Sequence, residues 1–169
     1  MKPKVYLAPE LYFYSKNDIV IFLAGSIEQG KAENWQDKVM ASLKKFSSLV
    51  SSNAKLVILN PRRKDWDSSW EQSIDNKQFR EQVEWELTGQ ENSTIIAMYF
   101  DPKTKSPITL LELGLFKDSN LIVCCPDGYW RKGNVDIVCH NFNIKQIETF
   151  EEFVQKLKLE IFNLIDKEV

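Results

Sequence analysis

Histidine occurs once in the chain, as His140, and cysteine three times. That scarcity argues against a transition-metal site, which needs several Cys, His or carboxylate ligands at close spacing. Cys124 and Cys125 are adjacent in the apolar stretch from Leu121 to Cys125, Cys139 follows Ile137 and Val138, and no C-x-x-C spacing occurs. All three are read as buried, reduced, small hydrophobes. A Cys139–His140 catalytic pair is also unfavourable, because neighbours in a strand point to opposite faces. The chain has no apolar run near the ~18 residues that span a membrane. Met1 to Pro9 lack the layout of a signal peptide, so the expected compartment is the cytosol. Neither sign of charge dominates: 22 basic against 24 acidic residues give a net charge of -2, without the basic excess of a nucleic-acid polymer binder. With 169 residues, 43% of them hydrophobic and 27% charged, the chain has the size and composition of one soluble globular domain.

Apolar segments of two kinds alternate along it. Ile19 to Ala24, Lys55 to Leu59, Thr94 to Phe100 and Leu121 to Cys125 are short continuous runs, as strands buried on both faces require. Between them Trp35, Val39, Leu43 and Phe46 recur at helical spacing, as do Phe79, Val83 and Leu87. Ser106-Pro107 opens a third helix, with Ser as N-cap and Pro at the first helical position. Residues 135–147 are expected to hold a fifth strand. Thr149 and Glu152 form a capping box ahead of an amphipathic helix with Phe153, Leu157, Ile161 and Leu164 on one face. The fold expected is α/β: a flavodoxin-like, doubly wound, mostly parallel sheet of about five strands with helices on both faces. Residues 1–169 are expected to be a single domain, with 1–18 as an N-terminal arm and 149–169 as a C-terminal amphipathic helix. Val5 to Pro9 suit either an arm or an extra short strand.

Ligands of such folds bind at the carboxyl ends of the strands. The first such loop, Ala24 to Gly30, carries Gly25, Ser26 and Gly30 but neither the P-loop nor the G-x-G-x-x-G pattern. It is equally consistent with a tight strand-to-helix turn. The second, from Asn60 through Arg62 to Trp66 and Trp70, joins flat aromatics to hydrogen-bonding groups, which suits a nucleobase. Its competing reading is a cap on the core. The loop from Asp127 to Asp136 is again aromatic, cationic and glycine-punctuated, and suits a site as well as an exposed hairpin-like turn.

The sharpest signal is Glu112, the one charge in the apolar run Ile108 to Phe116. A carboxylate there is costly to bury unless paired or hydrogen-bonded. It lies within two turns of a helix amino end, where the dipole favours the ionised form a nucleophile needs. The alternative is an ion pair with Arg62, Arg63 or Arg131. Glu86, seven residues after Phe79, projects toward the apolar face of the second helix, whereas Glu81, Glu84 and Glu91 fall away from it. An ordinary helix ion pair is the alternative for Glu86.

Five stretches in order resemble the nucleoside 2-deoxyribosyltransferases: Ile21 to Ile27, Asn60-Pro61-Arg62-Arg63, Gln82-Val83-Glu84-Trp85-Glu86, Leu110-Leu111-Glu112-Leu113-Gly114 and Arg131-Lys132-Gly133-Asn134-Val135. The resemblance covers residues 20 to 140. It implies that Glu112 is the nucleophile and that Glu86 orients sugar and nucleophile. It also implies that Asn134 reaches a neighbouring subunit's site in a homo-oligomer. The best-known members carry an Asp linked to base protonation six residues before the nucleophile; Ser106 stands there in this sequence. They also end in a carboxylate that enters the site, whereas here an amphipathic helix runs on toward Val169. Asp67 and Asp101 are the candidate proton donors to the base.

The reaction so implied moves a 2-deoxyribosyl group between free purine or pyrimidine bases through a covalent intermediate, with no cofactor and no metal. Two other readings stand beside it. One is an N-glycoside hydrolase of deoxynucleosides or their 5'-monophosphates; the other is a non-catalytic module that senses nucleosides or bases. A pure binder has no need of the Glu112 and Glu86 pair.

Overall fold

The computed structural model describes residues 3–27, 32–49 and 53–166; Gly30, named above, lies outside them. The elements run β1 (Lys4–Leu7), β2 (Ile19–Gly25), α1 (Trp35–Ser47), β3 (Leu56–Asn60), α2 (Lys77–Glu91) and β4 (Ile95–Tyr99). They continue with α3 (Pro107–Leu115), β5 (Leu121–Cys124), α4 (Lys132–Asn141), β6 (Lys145–Ile147) and α5 (Phe150–Asp166). All six strands are parallel in one sheet ordered β1-β3-β2-β4-β5-β6. This is the doubly wound α/β architecture that the alternating apolar runs imply.

The pleat sends alternate residues to two cores. Val20, Phe22 and Ala24 of β2 face Trp85 of α2, Leu113 of α3 and Val135 and Cys139 of α4. Ile19, Ile21 and Leu23 face Trp35, Val39 and Leu43 of α1 and Phe153, Leu157 and Ile161 of α5. From β2 the chain winds toward β3, and from β4 it winds the other way, toward β5. The direction therefore reverses between the neighbours β2 and β4, which opens a crevice at their carboxyl ends. Gly25 pairs there with Tyr99 at a φ of 137°, and a Cβ on it would lie 2.3 Å from the Tyr99 carbonyl oxygen. Only glycine permits that approach. No helix of the described residues is long and apolar enough to cross a membrane.

Several local expectations change. Of the two readings of the N-terminal segment the extra short strand is the one found: residues 4–7 form an edge strand on β3, which brings the sheet of the described residues to six strands. The fifth strand expected in 135–147 shrinks to Lys145–Ile147, and most of the segment is α4. The β-branched Val135, Ile137 and Val138 suggested a strand, but burial follows the four-residue step from Val135 to Cys139 while Ile137 is 62% exposed. Helix α2 turns a different face inward from the one expected: Gln82, Trp85, Gly89 and Gln90 are buried, whereas Leu87 is exposed. Ser106 precedes α3 but does not cap it. Its backbone is left-handed, with φ 46°, and no side-chain cap bond forms. Of the Thr149–Glu152 capping box one half forms: the Glu152 backbone N–H donates to Thr149 Oγ1 at 3.3 Å, while the Thr149 hydroxyl donates to the Glu152 carboxylate at 2.9 Å.

Candidate functional site

Helix α2 brings Gln82, Glu86 and Gln90 to one face, each a single turn from the next. Its neighbour Gly89 sets the depth: a Cβ there would stand 2.8 Å from the Phe22 ring, so only a residue without one lets α2 sit this close to β2. The Gln82 side-chain amide donates to the Pro61 carbonyl at 2.9 Å and to Glu86 Oε1 at 2.8 Å. Gln90, fully buried, donates to Glu112 Oε1 at 2.6 Å. Glu112 itself faces inward from α3 beside Thr109 and Leu113 and is 7% exposed.

Burial raises both carboxyls far above the usual range. Glu86 keeps partial solvent access, but its carboxyl is surrounded by protein; burial and then the nearby Glu112 charge push it to about 8, against a smaller opposing effect of the Gln82 bond. Burial pushes Glu112 to about 7, opposed by Gln90. The helix dipole invoked from the sequence therefore does not prevail over desolvation at Glu112. Near neutral pH two such coupled acids hold about one proton between them.

No cation among the described residues forms an ion pair with either carboxylate. Arg62 donates instead to Gln36 Oε1 at 2.8 Å and to the carbonyls of Ala32 and Glu33. Arg63 pairs with Asp65 and Glu81. The Arg131 guanidinium lies over the Trp130 ring at 4.3 Å. The structural ion pair considered for Glu112 is thus absent, and an amide holds it.

A second cluster occupies the crevice between β2 and β4. Ser26, Thr104 and Ser106 are buried with their hydroxyls in mutual contact: Thr104 Oγ1 lies 2.9 Å from Ser26 Oγ and 2.7 Å from Ser106 Oγ, and Ser26 Oγ meets Ser106 Oγ directly. The Asp101 backbone N–H donates to Ser26 Oγ at 2.9 Å. The buried Asp101 carboxylate accepts from the amides of Glu33 at 3.0 Å and Lys103 at 2.8 Å, which ties the loop after β4 to the start of α1. Asn60, also buried, accepts from the Arg62 amide at 3.0 Å. Asp67 lies on the surface, its carboxyl held below the usual range by bonds from Ser69.

Trp66 and Trp70 pack on each other, with ring centroids 5.3 Å apart, and Arg63 stacks over Trp70. Both rings are half-buried, and the Trp66 indole N–H is buried without a partner. Asn134 is exposed in the first turn of α4. Ahead of it, Tyr129 and Trp130 both donate to the Lys105 carbonyl, at 2.7 and 2.9 Å, and so brace the turn that precedes α3.

The residues missed in the sequence are Gln82, Gln90, Thr104 and Thr109. The four-residue step through Gln82, Glu86 and Gln90 was a visible signal, obscured by placing the inward face at Phe79, Val83 and Leu87.

The family described as nucleoside 2-deoxyribosyltransferase like matches residues 18–129. A comparison with curated proteins finds no match. Among solved structures, the chain is similar to a conserved protein from Enterococcus faecalis V583. The two share 11% identity with a TM-score of 0.57, over 85% of this chain and 99% of that one, a likeness of fold alone.

Proposed function

The chain belongs to the nucleoside 2-deoxyribosyltransferase-like family, and from that membership we propose that it transfers a 2-deoxyribosyl group from one nucleobase to another through Glu112. The observation that carries this reading is the buried Glu112 carboxyl, held by the Gln90 amide and, among the described residues, paired with no cation. A carboxylate kept from water and from counter-ions is a stronger nucleophile than a solvated one.

In the first half-reaction a Glu112 oxygen bonds to the anomeric carbon and the N-glycosidic bond breaks. The base leaves with the bonding pair and takes up one proton from solvent. In the second, another base attacks from the side the first one left, gives up a proton and restores the β-anomer. Both transition states carry oxocarbenium character. A 2'-hydroxyl withdraws electron density from that cation, so deoxy sugars are the favoured substrates. Glu86, held protonated beside the nucleophile, has an O–H to offer a sugar oxygen without adding a second charge. Trp66 and Trp70 supply flat surface for the base. Gly25, Ser26, Asn60, Arg62, Asp101 and Ser106 shape the crevice floor and its loops.

Base exchange decides between transfer and hydrolysis. Supplied with a deoxynucleoside and a second base, the protein is expected to form the new deoxynucleoside faster than free deoxyribose, with ping-pong kinetics. Free sugar as the main product across purine and pyrimidine acceptors would make it a hydrolase. Binding without turnover would make it a sensor.

A homo-oligomer is part of the same reading. Ile108, Leu111 and Leu115 are 60%, 58% and 58% exposed at spacings of three and four along α3, the helix that carries Glu112. An apolar stripe that repeats on an identical copy is self-complementary. The family resemblance assigns the exposed Asn134 to a neighbour's site in such an assembly. Light scattering is expected to give a dimer or larger at assay concentration, and Leu111→Asp to shift it toward monomer with loss of activity. A fully active wild-type monomer would contradict this.

A further inference from the structure

Two glutamines are buried beside two carboxyls, and partner chemistry fixes the orientation of each. Ionised Glu112, the form a nucleophile needs, only accepts hydrogen bonds, so toward that form the Gln90 group 2.6 Å from Glu112 Oε1 is the NH₂. The Pro61 carbonyl also only accepts, so Gln82 likewise turns its NH₂ to Pro61 and Glu86. Each amide oxygen is then left buried with no partner. Gln90 is fully buried and Gln82 nearly so. A structural role alone favours an apolar side chain at such positions, because an unsatisfied buried acceptor is destabilising. Gly89, whose Cβ would meet the Phe22 ring, lets α2 and Gln90 with it lie close to the sheet.

We propose that Gln90 is a positioning residue: its amide grips one oxygen of Glu112 so that the other is presented to the anomeric carbon, while Gln82 fixes Glu86 by the same contact one turn away. The two amides thereby distinguish the carboxyls, each donating to a different one. This rests on the transfer reading above, and the experiment separates the two.

Protein carrying glutamate labelled with ¹³C at the carboxyl is titrated by NMR, with the Glu112 and Glu86 signals assigned from Glu112→Gln and Glu86→Gln. Gln90→Leu is expected to move the Glu112 titration midpoint up by roughly 1 on the pH scale, because the lost N–H stabilised the ionised form. Gln82→Leu is expected to move Glu86 more than Glu112. In turnover, Gln90→Leu should lower kcat roughly 10- to 100-fold with KM changed less than about threefold, and shift the acid limb of the pH profile in step with the NMR. Gln90→Met provides a second apolar variant if Gln90→Leu folds poorly by circular dichroism. An unmoved Glu112 titration in a folded variant, or a change confined to KM, overturns the proposal. If the wild-type protein turns over no deoxynucleoside, the transfer reading fails while the NMR titration still decides the role of Gln90.

Discussion

Glu112→Gln is expected to lose at least about 10³-fold in turnover while the protein folds normally and gains stability at alkaline pH. The loss follows from chemistry: an amide oxygen in the same place cannot form the ester to the anomeric carbon. Folding survives because glutamine matches the volume and keeps an oxygen for the Gln90 amide. The gain in stability follows from burial. The native structure holds Glu112 at 7% exposure next to Glu86, with no ion pair to a cation among the described residues. Removing that charge relieves both its own desolvation and the pressure it puts on its neighbour. A variant that is both more stable and inactive is the expected signature of a residue kept for function at the expense of the fold. Steady-state kinetics with a deoxynucleoside and a thermal melt at pH 8 check both halves. Near-normal turnover in folded Glu112→Gln or Glu112→Ala would end the nucleophile assignment.

The wild-type protein is expected to lose stability as pH rises from about 5 to 9. The ordinary glutamate value is 4.5, and the native structure raises Glu86 to about 8 and Glu112 to about 7. Between those values the folded state holds protons that the unfolded chain has already released, so stability falls with rising pH. The contribution is fully present below about pH 4.5 and is lost through about pH 7 to 8. Each tenfold difference in proton affinity between the folded and unfolded states corresponds to about 1.4 kcal/mol. With allowance for relaxation and water entry, the pair accounts for a loss on the order of 3 kcal/mol, or roughly 5–10 °C in Tm for a chain this size. Glu86→Gln should flatten the Tm-against-pH curve over this range. Activity should peak in the narrow interval where the pair holds one proton, since the mechanism needs Glu112 ionised and Glu86 neutral. A wild-type Tm flat from pH 5 to 9 would show that the carboxyls are solvated.

The four central strands were legible because each is a short apolar run rich in β-branched residues and bounded by turn or polar residues, the composition of a strand covered on both faces. Glu112 was legible for the converse reason, as a lone charge where the surroundings forbid solvation. Helix α4 was not, because Val135, Ile137 and Val138 have strand propensity and only the tertiary position of Val135 and Cys139 selects the helical period. Gln82 and Gln90 were hidden by a different cause. Glutamine is ordinarily a surface residue, and its burial here is set by partners 21 and 22 positions away, Pro61 and Glu112. Ser106 misled in a third way: Ser before Pro is a strong cap pattern, but the hydroxyls of Ser26 and Thr104 claim its side chain.

In the proposed reaction Glu112 itself becomes glycosylated. Rapid acid quench of the protein mixed with a deoxynucleoside and no acceptor base, followed by proteolysis and mass spectrometry, reads this directly. A peptide spanning Pro107 to Leu115 is expected to be heavier by one deoxyribosyl group, with fragmentation placing the group on Glu112. The adduct is expected to disappear on adding a second base and to be absent from Glu112→Gln. Turnover at the wild-type rate with no adduct on that peptide, or an adduct on another residue, would contradict it.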